Sequence, residues 1–454
     1  MVYFRYYGYK TRNYFLTKRG SNMSTTNMWI LGCPAPTCGE LANGFYNAGP
    51  MLADDREGTT KEDSKMQIFY NVTESDFDNY IASLRNIGIN EYLEHTLGSD
   101  KFFAFAYAGN YYHVSYIAKR GELRIIEDIS STPLNEFGYH TMGQQQTVVY
   151  QYGLYYDPEN HVTDKTVNCG MLYIIKLSDN SLFMVDGGHI FQCSDKMIDG
   201  LWNFLLQITN TPKDGIIRIA GWHFTHPHDD HINGCTKLLN RYHKQIILER
   251  IMYNFPCFSI AHGYSISTYD MKEIVPRLYP QVKVLKLHTG QKFSLADMTV
   301  EVYYTQEDAA RKEDLSKFHL GDSNCASSIL KLTIYKKTII MLGDTNIETE
   351  EILAKYSEKE LWKADMVQVA HHCFNYLDTL YPWIAAPVAI LPNSYFGAHT
   401  PENVPKLATI LNYVKDNQIY YEGEGTDGFI ATESGWKHIE HFPVIGEEYD
   451  NSGY

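Results

Sequence analysis

The sequence predicts a layered α/β unit over residues 146–454, preceded by a small α+β module over residues 1–145. Three observations carry this expectation. In the second part, apolar strands alternate with helices of roughly 10 to 15 residues, the texture of stacked α/β layers. In the first, one amphipathic helix is followed by three β-rich runs joined by hairpin signals. With 454 residues, 44% of them hydrophobic and 20% charged, the chain can pack two or three units and is too apolar to be disordered.

The helix is expected over 73–87, with Ser75 as its cap, Asp78 three residues on, and Phe77, Tyr80, Ile81, Leu84 and Ile87 at helical spacing. The runs 101–108, 111–118 and 122–129 are separated by Gly109-Asn110 and Arg120-Gly121, so they read as a meander beneath the helix. Pro133, Gly138, Gly143 and three consecutive glutamines mark the passage to the second unit and place the boundary near residue 145. Beyond it, strands are expected at 171–177, 182–185, 216–222, 246–253, 282–287, 328–335, 338–342, 366–370 and 388–391. No short repeat or low-complexity segment interrupts them.

The 39 basic and 54 acidic residues give a net charge of −15, which excludes a broad basic footprint for long nucleic acid or an anionic membrane. Small or short substrates fit better. Abundant aromatics, 14% of the chain, read as sheet packing. No apolar run of about 18 residues occurs, and Arg5, Lys10, Arg12, Lys18 and Arg19 precede no apolar segment, so neither a membrane span nor a secretory signal is expected. The start (Met1, Met23 or Met28) and the oligomeric state stay open. Eight scattered cysteines suit free thiols in a reducing cytoplasm, and the Cys33/Cys38 pair lacks the partners that would complete a zinc knuckle.

At the end of the 216–222 strand stands Thr225-His226-Pro227-His228-Asp229-Asp230-His231, with Gly234 just after. Three imidazoles and a carboxylate this close are costly to bury without partners, and they are most economically metal ligands. Imidazoles at i and i+2 present to one cation, while Asp and His at i+4 and i+5 curl toward a second, so the spacing suggests two metals. Further ligands are sought at strand ends. Gly343-Asp344, His371-His372 and Phe396-Gly397-Ala398-His399 each follow an apolar strand and supply a carboxylate and more imidazoles.

Preceded by Phe183-Met184-Val185-Asp186-Gly187-Gly188, this set resembles the metallo-β-lactamase superfamily, whose fold is an αββα sandwich. Asn324-x-x-Ser327, Gly343-Asp344, the 365–372 segment into His371-His372, and Asn393-x-Tyr395-x-Gly397-x-His399 are similar to the competence DNA-uptake nuclease domains and phosphorylcholine esterases within it. The resemblance covers about residues 148 to 445. It implies that His226, His228 and His371 hold a first metal, Asp230, His231 and His399 a second, and that Asp344 bridges them. Either of His371 and His372 could ligate, the first being favoured and the second lining the site. The sequence departs from the pattern in three ways: Cys373 stands where glycine is usual, one residue is added before His399, and His262, His288 and His319 offer no recognisable intermediate ligand.

Two divalent cations, zinc foremost with manganese or iron open, would lower the pKa of a shared water and supply a bridging hydroxide at neutral pH. Asp230 is expected to orient that nucleophile, and His372 or Tyr395 to donate to the leaving group. Asp186 would position the metal loop, and Asn324 and Ser327 would support it. The expected function is a dinuclear metal-dependent hydrolase acting on a phosphodiester or similar small ester. A lactone, carboxylic ester or amide hydrolase on the same site, or a metal-containing binding or regulatory protein with residues 1–145 as its interaction module, are the alternatives.

Overall fold

The computed structural model describes residues 28–49, 64–129, 142–154, 170–189, 193–256, 261–262, 266–310, 314–415 and 418–443. The expected boundary near residue 145 lies between the last strand of a first sheet, which ends at Asp128, and the next strand, which begins at Val148 and belongs to the first of three further sheets.

The first sheet has seven strands, including Ser64–Tyr70, Glu91–Leu97, Asp100–Tyr107, Asn110–Ile117 and Glu122–Asp128. The last three are the expected meander, paired antiparallel in sequence order. Helix Glu74–Asn86 lies on one face, burying Phe77, Tyr80, Ile81 and Leu84 against Phe103, Phe105, Val114, Leu123 and Ile125. Its cap is Thr73 rather than Ser75. Thr73 is extended at φ −94° and exchanges hydrogen bonds with Asp76, while Ser75 already sits inside the first turn.

The remainder is an αββα sandwich. In one sheet Lys283–Leu285, Arg250–Tyr253, Ile217–Phe224 and Leu182–Val185 run parallel side by side. Tyr173–Lys176, Val148–Gln151, Thr426–Thr432 and Gly435–Phe442 continue it antiparallel. In the other sheet an antiparallel meander ending in Ile329–Ile334 and Lys337–Met341 passes into parallel Met366–Gln368, Ala389–Leu391 and Ile419–Tyr421. Period-two alternation fixes what faces what. Tyr173, Ile175, Phe183 and Val185 point inward against Val300, Val302, Leu330, Leu332, Ile339 and Met341. Leu172, Ile174, Leu182 and Met184 point outward under helices Asp195–Ile208 and Asp229–Tyr242. Leu353, Trp362, Leu380, Ile384, Leu407 and Ile410 cover the far face of the second sheet.

The expected 246–253 strand is two pieces, Ile246–Leu248 and Arg250–Tyr253, both paired with Ile217–Phe224. Between them Glu249 turns aside to bind Arg218 at 2.7 Å. Among the described residues no helix is long and apolar enough to cross a membrane, and Cys33, Cys38, Cys193, Cys235, Cys325 and Cys373 are free thiols.

The first sheet is joined to the sandwich by buried and half-buried polar contacts. Arg124 meets Asp308 at 2.7 Å, His95 meets Glu301 at 3.1 Å, and His113 Nε2 lies 2.9 Å from the Thr289 carbonyl. His288 is gripped between Asp128 at 2.6 Å and Glu307 at 3.2 Å.

Candidate metal centre

The centre is built where strands of both sheets end. Ile217–Phe224 runs into Thr225 and the loop His226–His228, and His228 is the N-cap residue of helix Asp229–Tyr242. That helix fits only because it carries Gly234. A Cβ there would stand 1.9 Å from the Gly187 carbonyl oxygen. The close approach brings His231 onto Asp186, whose carboxylate accepts from His231 Nδ1 at 2.8 Å, Thr225 N at 2.8 Å and Thr225 Oγ1 at 2.9 Å. With Nδ1 so engaged, Nε2 is the nitrogen left to face the centre.

Asp344 follows the Lys337–Met341 strand through Gly343, at φ +55°, where a Cβ would crowd Thr225 at 3.0 Å. Gln368 Oε1 accepts from Leu342 N and Gly343 N, both at 2.7 Å, and Ser327 Oγ accepts from Asp344 N at 3.1 Å. So held, Asp344 Oδ2 lies 3.3 Å from His231 Nε2, 3.6 Å from His372 Nε2, 3.7 Å from His226 Nε2 and 3.8 Å from His371 Nε2. His371, His372 and Cys373 all adopt left-handed φ, at 46°, 52° and 68°. This unusual run presents both imidazoles to the same carboxylate. His372 Nδ1 donates to the Pro392 carbonyl at 2.8 Å, leaving Nε2 at 3.2 Å from Asp230. Asn375 Nδ2 lies 2.7 Å from His371 Nδ1, and Asn324 Nδ2 lies 3.5 Å from His371 Nε2.

Ligand atoms converge in two groups that share Asp344. Asp230, His231, Asp344 and His372 form one, and His226, His228 and Asp344 the other, each with its ligand atoms within 4.8 Å of one another. His226 Nε2 and His228 Nδ1 are 3.0 Å apart. His371, favoured over His372 as a ligand of the first metal, stands at the rim, belongs to neither group and keeps its Nε2 3.8 Å from Asp344. His399, expected on the second metal, belongs to neither group. The one-turn helix Tyr395–Ala398 folds it back, so that Nδ1 donates to the Tyr395 carbonyl at 2.8 Å and the ring stacks on Tyr395 at 3.9 Å. His372 stands beside Asp230 and His231 in its place. Tyr395, expected as a donor, is 54% exposed and outside both groups.

A cation fits this donor set. His231 Nε2, His372 Nε2 and Asp344 Oδ1 are buried without a hydrogen-bond partner, an arrangement that costs free energy unless something positive sits among them. Electrostatics agree. Burial alone would lower His231 and His372, but the carboxylates of Asp344 and Asp230 outweigh it and hold both well above the ordinary imidazole range. Burial would raise Asp344, yet His231, His372, His371 and His226 hold it well below the usual carboxylate range. The same carboxylates that raise these imidazoles would draw a divalent ion to the centre. Burial, followed by His231 and His228, drives His226 down to its neutral, ligand-competent form.

Sequence reasoning missed Asn375 and Glu422. Glu422 is fully buried, and burial raises its carboxyl well above the usual range although His372 and His231 lie near enough to oppose the shift. It follows the Ile419–Tyr421 strand, so the strand-end logic that found Asp344 also points to it. Of the three intermediate histidines, His288 belongs to the seam with the first sheet, His319 lines a separate cleft, and the His262 backbone pairs beside Asp322, whose carboxylate is 3.9 Å from His228.

No family model matches the chain, and no curated protein matches it. Solved structures with similarity include the metallo-beta-lactamase fold protein YhfI from Bacillus subtilis, at 12% identity over 61% of this chain and 97% of that one, with a TM-score of 0.36. Zn(2+)-bound PqqB from Methylobacterium extorquens matches at 10% identity over 61% and 97%, also with a TM-score of 0.36. CmlA, a diiron beta-hydroxylase from Streptomyces venezuelae, matches at 10% identity over 62% of this chain and 45% of that one, with a TM-score of 0.29.

Proposed function

We propose that the chain is a metal-dependent hydrolase of the metallo-β-lactamase superfamily, holding two divalent cations, zinc foremost, and cleaving a phosphodiester or similarly small ester. The observation that carries this reading is the pair of donor groups meeting on Asp344, with buried nitrogens and an oxygen that no protein atom satisfies. His226, His228 and Asp344, with His371 at the rim, would hold one cation; Asp230, His231, His372 and Asp344 would hold the other. When bound, such ions supply Lewis acidity and lower the pKa of a water.

The chain's own residues do the rest. Asp186 and the Pro392 carbonyl fix the tautomers of His231 and His372. His226, His231, His372 and Asp344 are sealed from solvent, so the charges act in a medium of low dielectric. Only His228, Asp230 and His371 are partly open, and substrate enters past them. Asp230 faces that opening and orients the attacking water through its carboxylate. The net charge of −15 supports a short substrate over a long polyanion.

The test is hydrolysis of bis-p-nitrophenyl phosphate and of a simple lactone before and after chelation. Diester cleavage abolished by the chelator and restored by zinc is expected. Lactone cleavage in its place overturns the substrate class, and no metal-dependent cleavage of either overturns the hydrolase.

A further inference from the structure

Two residues beyond Asn393, which anchors the His372 backbone, begins a cluster of aromatic rings that the chemistry above leaves unused. Asn393 Nδ2 donates to the His372 carbonyl at 2.8 Å, and the chain then turns at Ser394 into Tyr395–Ala398. Tyr395 and Phe396 therefore follow directly on the segment that holds a ligand ring. Tyr395 stacks on His399 at 3.9 Å and 22°, and Tyr421 meets it edge-on at 5.3 Å. Nearer the centre, Phe374 lies 5.7 Å from His371 and 5.8 Å from His372. Tyr395 and Phe396 are nevertheless 54% and 60% exposed. Two successive exposed rings, one of them held by stacking, offer apolar surface that a ligand ring could cover.

We infer that Tyr395, held by His399 and flanked by Phe396, is a platform for a planar aromatic group of the substrate, carried next to the bond that the metal centre cleaves. The inference rests on the proposed hydrolase for that bond; the ring site itself rests on geometry. One face of Tyr395 is taken by His399 and Tyr421 meets its ring edge-on, and the part of the ring that stays exposed is open to a flat partner in offset or edge contact. Stacking of this sort tolerates any π-face, so an aryl ester and a nucleobase share the chemistry. His399, which lies outside both ligand groups, acquires a role as the positioning residue that fixes the Tyr395 ring.

The test is calorimetric binding to the zinc-loaded full chain, using ligand pairs that differ by a ring. Phenylphosphonate is expected to bind at least about fivefold tighter than methylphosphonate, the low end of what one stacked ring contributes. Tyr395→Ala removes that preference, whereas Tyr395→Phe keeps it, because stacking needs the ring and not the hydroxyl. Adenosine 5′-phosphate against ribose 5-phosphate tells a nucleobase from a simple aryl group. Benzoate against acetate tests the ring apart from the phosphoryl reading: ring preference there with no phosphonate binding supports the platform while the phosphoester reading fails. No ring preference in any pair, or one that survives Tyr395→Ala, overturns the platform.

Discussion

Asp186 Oδ2 lies 2.8 Å from His231 Nδ1, and both side chains are fully buried. The same carboxylate also takes Thr225 N, so one residue sets both the tautomer of His231 and the end of the strand that delivers His226. Asp186→Asn keeps the shape but loses the charge, and is expected to weaken metal affinity about 10- to 100-fold. Competition with a chromophoric chelator measures this. Unchanged affinity would show that His231 needs no such support.

Metal loading is expected to release protons. His231 and His372 are held well above the ordinary imidazole range by Asp344 and Asp230, so at neutral pH each gives up a proton when a cation arrives. Calorimetry in buffers of different ionisation enthalpy should report about two protons per chain from the imidazoles and about one more from the water that ionises between the cations. A heat independent of buffer contradicts the exchange.

Cys373 combines a fully buried side chain with a φ of 68°. Left-handed backbone costs a non-glycine residue about 1–2 kcal/mol, comparable to what its small thiol gains by burial. Cys373→Gly is therefore expected to change stability by less than about 1 kcal/mol and to be milder than Cys373→Ala, which keeps the strain and loses the sulfur. Denaturant titration gives the order; alanine proving milder than glycine would contradict it.

His288 links the first sheet to the sandwich. Burial alone would depress it, but Asp128 and then Glu307 outweigh burial and raise it to about 9 from an ordinary 6.5. Its stabilising contribution is therefore complete below about pH 6.5 and is lost as pH rises through about 9. Glu307, which burial would raise, is pulled down to about 2 chiefly by His288, so its contribution is present above its ordinary 4.5 and fades as pH falls toward 2. His288→Ala removes the imidazole from two buried carboxylates, which keep Ser64 and Asn254 as hydrogen-bond donors, and should cost up to about 3–5 kcal/mol at neutral pH. Unfolding at pH 6 and pH 9.5 should show the gap between wild type and variant narrowing at the higher pH; a constant gap contradicts the linkage.

The ligand-bearing loop was legible because His226, His228, Asp230 and His231 are too polar and too close together to be packing, and because Asp344, His371 and His372 stand at the ends of apolar strands. His399 read the same way and lies elsewhere. Spacing reports that a residue follows a strand, but whether a one-turn helix then folds the ring back is decided by the Ser394 cap and the Tyr395 carbonyl. The second imidazole of the His371-His372 pair joined the centre through backbone that glycine would normally supply, which a sequence bearing cysteine does not advertise. The strand Ser64–Tyr70 escaped notice because a neighbour distant in sequence, Glu122–Asp128, supplies its pairing.

The central claim is that Asp344 joins two cations. Elemental mass spectrometry of the wild type and Asp344→Ala tests it most directly: about two divalent ions per chain are predicted for the wild type, with fewer in the variant at unchanged fold by circular dichroism. A wild type that retains no metal after loading with zinc, manganese or iron, or a variant that retains two, would contradict it.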